Sequence, residues 1–168
     1  VEHVNTHGGS IRVYIKKQEG KHIIDSSVEE FIRKEKEAGM DKYDTYKSFS
    51  NNIMAIKDKI KNFLVNAKRN GKRIVGYGAP AKATTMLNFY EIDNKIIDYI
   101  VEDNAFKQGK FIPGVRIPIQ NKEMLDKYGA NYILILAWNF AEEIMRKNQK
   151  YPEQGASFII PNQELRII

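Results

Sequence analysis

Cysteine is absent from the 168 residues, which excludes a disulfide scaffold, a thiolate nucleophile and any Cys-ligated zinc or iron–sulfur centre. Histidine is scarce, with three copies, two of them in the first seven residues, so a His-built metal cage is not expected. No apolar run approaches the ~20 residues that span a bilayer, and no signal-peptide pattern opens the chain. No G-x-S-x-G serine and no paired-carboxylate signal is found, so the sequence assembles no catalytic centre. Initiator methionine is also missing, and a β-like stretch follows Val1 at once, so the chain reads as a piece of a longer polypeptide. What is present is ordinary: 42% apolar and 29% charged residues suit one packed domain, or one domain with an appendage.

The net charge of +6 raises the question of nucleic acid. Residues 1–73 hold 16 Lys/Arg against 10 Asp/Glu, whereas residues 74–168 hold 11 of each, so all the excess lies in the first part. It is spread along a helix whose lysines alternate with polar residues, with no compact basic stripe interleaved with aromatics. A solvated helical face explains it, and nucleic acid is not an expected partner.

Residues 1–24 read as a β-hairpin: "VEHVNT" leads into a glycine turn, and Ile11, Val13 and Ile15 then alternate with Arg12, Tyr14 and Lys16. Ser26 and Ser27 with Glu29 and Glu30 give a capping-box signal for a short helix to about Glu37, ended by Gly39. Tyr46, Phe49, Ile53, Ile56, Ile60, Phe63 and Ala67 recur at spacings of 3, 4, 3, 4, 3 and 4, which predicts a helix over about 43–69 with one continuous apolar stripe. Asn70-Gly71 closes it. From 72 to 168, strands and helices alternate, with the apolar runs "RIVGY" and "NYILILAW" as central parallel strands. The fold class expected for 25–168 is therefore α/β and Rossmann-like, a mainly parallel sheet with helices on both faces.

The most informative motif is Gly76-Tyr77-Gly78-Ala79-Pro80-Ala81-Lys82, placed after one strand and opening a helix. Glycines permit a tight turn, the helix start offers free N–H groups to a phosphate, and Lys82 adds a cation. A turn that needs small residues only for packing is the other reading. Glu102 and Asp103 lie 26 and 27 residues beyond Gly76, at the end of the next strand, where dinucleotide folds place an acid for ribose hydroxyls. Acids there also cap turns. Lys107 and Gln108 begin a long basic loop running to Pro118, suited to clamping an anionic ligand at the carboxyl edge of the sheet. Trp138 either stacks on a base or packs in the core, and Asn139 is either a ligand contact or an N-cap. His7, beside two glycines, either approaches a ligand across a domain boundary or is structural.

Taken in order, "THGGSIRVYI", "GYGAPAKATTMLNF", "IDYIVEDNAFKQGKFIPGVRIPI", "YILILAWNFAEEI" and "SFIIP" resemble the C-terminal region of S-adenosylmethionine (SAM)-dependent sugar C-methyltransferases. Those enzymes methylate carbon on nucleotide-linked deoxysugars. The resemblance implies three parts: a zinc-binding N-terminal domain, a SAM-binding domain, and a Rossmann-like C-terminal domain that helps hold the sugar nucleotide. Val1 to about Lys17 then looks like the closing strands of the SAM domain, with His7, Ser10 and Arg12 near a domain interface. The zinc site, the SAM loop and the Tyr-x-Glu-His catalytic segment would lie upstream, so the isolated chain is expected to hold no cofactor or metal and to methylate nothing. A cytoplasmic location away from membranes is implied too. Two readings stay open beside it, an NAD(P)-binding Rossmann module and a structural domain with a vestigial ligand loop.

Overall fold

The computed structural model describes residues 1–6, 9–161 and 165–168. They divide into two compact units, Val1–Asn52 and Ile53–Ile168, so the expected boundary after residue 24 falls inside the first. His7 lies outside the described residues.

In the first unit, β1 (Glu2–Val4) pairs antiparallel with β2 (Ser10–Arg12), with His3 opposite Ile11. The second strand is shorter than its alternating pattern predicts. Beyond Arg12 no strand partner is present among the described residues, and Val13, Tyr14 and Ile15 are exposed. Arg12 donates to Glu2 at 2.6 Å and the Ser10 hydroxyl donates to the Thr6 carbonyl at 3.1 Å, so both serve the hairpin itself. Helix α1 (Ser27–Glu37) starts where expected, but through a different residue. Ser26 already has helical dihedrals and makes no side-chain cap; Asp25 accepts from the Ser27 amide at 2.9 Å instead. The capping box is not formed.

Helix α2 (Tyr43–Arg69) runs across the predicted range, and Lys72 N–H donates to the Ala67 carbonyl at 3.1 Å to close it at Gly71. Its apolar stripe divides in two. Ile60, Leu64 and Ala67 are buried, whereas Tyr46 and Phe49 are exposed. The division follows the two units: the buried residues belong to the second and the exposed ones to the first. Leu64, outside the 3-4 pattern, is fully buried.

The second unit is a six-stranded sheet in the order β5 (Ile119–Gln120), β4 (Tyr99–Val101), β3 (Ile74–Tyr77), β6 (Tyr132–Ile135), β7 (Ser157–Pro161), β8 (Leu165–Ile167). All pairs are parallel except β7–β8. Strands β3 and β6 are central, as their apolar runs require. Side chains alternate between two cores. Ile74, Ile100, Leu134 and Ile159 meet α2 and α3 (Ala81–Tyr90) on one face. Val75, Val101, Ile133 and Phe158 meet α4 (Lys122–Tyr128), α5 (Ala141–Lys147) and α6 (Lys150–Glu153) on the other. Each fully buried aliphatic side chain contributes about 1.5–3 kcal/mol. The chain is thus an α/β fold of Rossmann-like type, with helices on both faces of a mainly parallel sheet.

Gly76 belongs to this packing. A Cβ there would stand 2.6 Å from Ile100 Cγ1 and 3.0 Å from Leu136 Cδ1. Ile100 is a branched side chain fixed within its own strand and has little freedom to yield. Gly76→Ala is therefore expected to lower unfolding free energy by about 1–3 kcal/mol, the usual cost of overpacking. Urea denaturation checks it, with a falling midpoint at unchanged slope.

Candidate functional site

Strand β3 ends at Tyr77, and the chain turns through Gly78 at φ +84°. The Gly78 N–H donates to the Val101 carbonyl at 2.7 Å, which ties the turn to the end of β4. Any side chain at Gly78 would be strained by that dihedral, and a Cβ would lie 3.0 Å from Ala137 Cβ. Pro80 is extended and stands just ahead of α3, as a residue without an amide hydrogen can.

The acid at the end of β4 closes this turn. Glu102 Oε2 accepts from the Ala79 N–H at 2.8 Å, and Oε1 accepts from the Asn104 N–H at 3.0 Å. Lys107 Nζ donates to the Ala79 carbonyl at 2.9 Å and lies 3.5 Å from Glu102 Oε2. Gln108 Nε2 donates to the Glu102 carbonyl at 2.7 Å, pinning the loop to the strand end. A carboxylate of the protein itself therefore sits on the Ala79 amide, and a phosphate reaching that amide would compete with it. Burial pushes the Glu102 carboxyl up, but the Asn104 and Ala79 amides and Lys107 outweigh it and hold the group below the usual carboxylate range.

An open cleft of about 370 Å³ lies at this edge, with Gly78, Ala79 and Pro80 along one wall beside Glu102, Asp103 and Lys107. The facing wall comes from α5 and the residues around it: Ala137, Phe140, Glu143, Ile144, Lys147 and Asn148. Strands β3 and β6 adjoin here, and the chain leaves β3 toward β4 on one side and reaches β6 and β7 on the other. This is the topological switch point where doubly wound sheets bind ligands. A larger cavity of about 510 Å³ opens near Lys68, Arg73, Asp98 and Asn131, residues that precede β3, β4 and β6, at the amino end of the strands. Its Lys68 is held by Asp98 at 2.7 Å. Topology, not size, selects the carboxyl-edge cleft.

Tyr77, Glu102, Asp103 and Lys107, named from the sequence, thus line one cleft with the glycine turn. Gly76 is inside the sheet instead. Lys82 is drawn aside: its ammonium donates to Asn139 Oδ1 and lies 4.4 Å from the Trp138 ring centroid, and burial lowers its pKa. Asn139 is consequently no helix cap; α5 follows Phe140 and has no side-chain cap. Trp138 begins a single 3-10 turn (Trp138–Phe140) and packs against both cores.

Asn148 escaped the sequence reading. A polar residue ending an amphipathic helix reads as surface, yet it is 1% exposed. Its Nδ2 donates to the Ile144 carbonyl at 2.7 Å, while no donor among the described residues reaches Oδ1. A buried acceptor left so costs about 1–3 kcal/mol. Tyr77 and Asp103 line the same cleft as Asn148. Burial pushes the phenol's pKa up, Asn148 opposes this, and Asp103 and Glu102 add to it.

The Glu102 closure carries a pH signature. A carboxyl depressed on folding contributes stability above its unfolded pKa and loses it as pH falls through the folded one. Glu102→Gln is expected to lower stability by about 1–3 kcal/mol at pH 7, the range for hydrogen bonds to a charged group. The deficit should shrink as pH drops through the carboxylate range. Urea unfolding of both proteins across that range measures it.

Residues 5–162 match the family described as the C-methyltransferase C-terminal domain. Over all 168 residues the chain is 32% identical to C-methyltransferase NovU of Streptomyces niveus, and it spans 40% of that relative's length. A match over nearly the whole chain, on a fold with its crevice at the expected edge, leads to one assignment: the chain belongs to the C-methyltransferase C-terminal domain family.

Proposed function

We propose that this domain positions a nucleotide-linked sugar for carbon methylation by a longer polypeptide. The carrying observation is the carboxyl-edge cleft, where the Gly78 turn, Glu102, Asp103 and Lys107 line one space at the topological switch point. In such an enzyme a base removes a proton next to a keto group and the resulting carbanion attacks the methyl group of SAM. Holding the nucleotide end fixes the sugar's reach and so reduces the entropic part of the barrier.

SAM itself is assigned to a part of the polypeptide outside this chain. The cleft's lysines are engaged by its own acids, Lys107 facing Glu102 at 3.5 Å and Lys147 facing Glu143 at 2.5 Å. Upstream SAM-binding and zinc-binding domains belong to this reading, as does a cytoplasmic setting. Among the described residues no helix is long and apolar enough to cross a membrane, and no group of three or more acidic, His or Cys residues could hold a metal ion. The competing reading is a structural domain, favoured by the Glu102 carboxylate already seated on the Ala79 amide.

Calorimetry of the chain with nucleoside diphosphate sugars, SAM and NAD(P) separates these readings. Nucleotide-sugar binding without SAM binding is the expected result. Ala137→Leu, at a cleft wall, should weaken that binding by tenfold or more, corresponding to about 1.4 kcal/mol or more. Micromolar SAM binding would overturn the assignment of SAM to another part of the polypeptide, and silence toward every ligand would favour the structural reading.

A further inference from the structure

The opposite end of the strands carries a surplus of positive charge. The cavity of about 510 Å³ there is lined by Lys68, Lys72 and Arg73, with Asp98 as the acid among them. Asp98 is already engaged on both oxygens: Oδ1 accepts from Lys68 Nζ at 2.7 Å and Oδ2 from the Ile74 N–H at 3.2 Å. Lys72 and Arg73 have no ion-pair partner among the described residues.

Arg73 is fixed in place. Its N–H donates to Asn131 Oδ1 at 2.8 Å, and its carbonyl accepts from the Asn131 and Tyr132 N–H groups at 2.9 and 3.1 Å. The guanidinium donates to the Tyr128 carbonyl and lies 5.9 Å from the Tyr128 ring centroid. One guanidinium N–H is so used; the others find no acceptor among the described residues. Between α4 and β6, Gly129 and Asn131 donate their N–H groups to the Leu125 and Arg73 carbonyls, while the Ala130 N–H between them has no acceptor among the described residues. Helices α2 and α4 both end at this edge, and helix ends of that kind attract cations. Capping uses the one guanidinium N–H, however, and leaves the Lys72 ammonium unengaged.

We propose that this amino-edge cavity binds a multiply charged oxyanion, a phosphate ester or a polycarboxylate, through Lys72, the unengaged N–H groups of Arg73 and the Ala130 N–H. A planar guanidinium held on one side offers a fork to two oxygens, and the lysine adds a point charge. A dianion would neutralise the charge that Asp98 leaves unbalanced. A Cβ at Gly71 or Gly129 would meet nothing within 4 Å, so the space beside both glycines is open to such a group. The cavity shares no residue with the carboxyl-edge cleft, so the inference does not rest on the nucleotide-sugar reading.

The test is a nitrogen-15 NMR titration of the whole chain with inorganic phosphate, pyrophosphate and citrate, at low ionic strength where charge attraction is least screened. Sodium chloride at matched ionic strength is the control. Signals to follow are the backbone amides of Gly71, Gly129 and Ala130 at this cavity, and those of Gly78 and Asp103 at the other edge. The first set is expected to shift at millimolar anion while chloride leaves it in place. The stronger ligand, phosphate type or citrate, identifies the ester or the polycarboxylate. Lys72→Ala, at an exposed position, should weaken that ligand by about fivefold. Arg73→Lys keeps the charge, gives up the fork and should weaken it too; because that change also removes a bond to Tyr128, Lys72→Ala is the deciding variant.

Equal shifts with chloride would reduce the effect to general screening and overturn the proposal, as would binding that Lys72→Ala leaves unchanged. Anions that move Gly78 and Asp103 but no amide at the amino edge would also overturn it, while leaving the nucleotide-sugar reading intact. If no anion moves any of these signals, the cations serve the helix ends alone and the proposal falls; the nucleotide-sugar reading is judged separately, by the calorimetry above.

Discussion

Strand β3 is buried from Ile74 to Tyr77 on both faces, so its backbone meets its hydrogen bonds chiefly through ladders to β4 and β6, with the Asp98 carboxylate accepting from the Ile74 N–H at its start. That requirement shapes the second unit. Parallel neighbours demand crossover helices, which cover both faces and leave no room inside the sheet for polar side chains. Gly76 shows how tight the arrangement is, since even a methyl group would collide with Ile100. Polar chemistry is consequently pushed to the strand ends, and at the carboxyl end the turn after β3 and the acid after β4 meet.

The meeting is internally satisfied rather than open. Glu102 accepts from the turn and from its own loop, Lys107 answers it, and Gln108 holds the loop against the strand end. A Rossmann turn that binds pyrophosphate leaves its amides to the ligand. Here a side chain of the protein has taken the amide of Ala79. The result is a preorganised, nearly neutral wall, with Asp103 exposed beside it and Asn148 buried behind it.

The chain belongs to the C-methyltransferase C-terminal domain family. The relative from Streptomyces niveus is two and a half times as long as the chain, which spans 40% of it.

Much of this is legible in the order of the amino acids. Continuous apolar runs mark β3 and β6, strict 3-4 spacing marks α2, and the glycine turn with Glu102, Asp103 and Lys107 marks one end of the sheet. These are local signals, because periodicity and turn chemistry depend on neighbours in sequence. Tertiary structure decided the remainder. Which part of the α2 stripe is buried depends on which residues meet the core of the sheet: Ile60, Leu64 and Ala67 do. Lys82 turns toward Asn139, 57 residues away, rather than to a phosphate. Asn148 is sealed beneath α5 although its residue type reads as surface. Sequence determined the elements, their order and the edge that carries the site. Burial and long-range pairing depend on which elements meet in space, and so only the packed fold decided which side chains face the cleft and which are already spoken for.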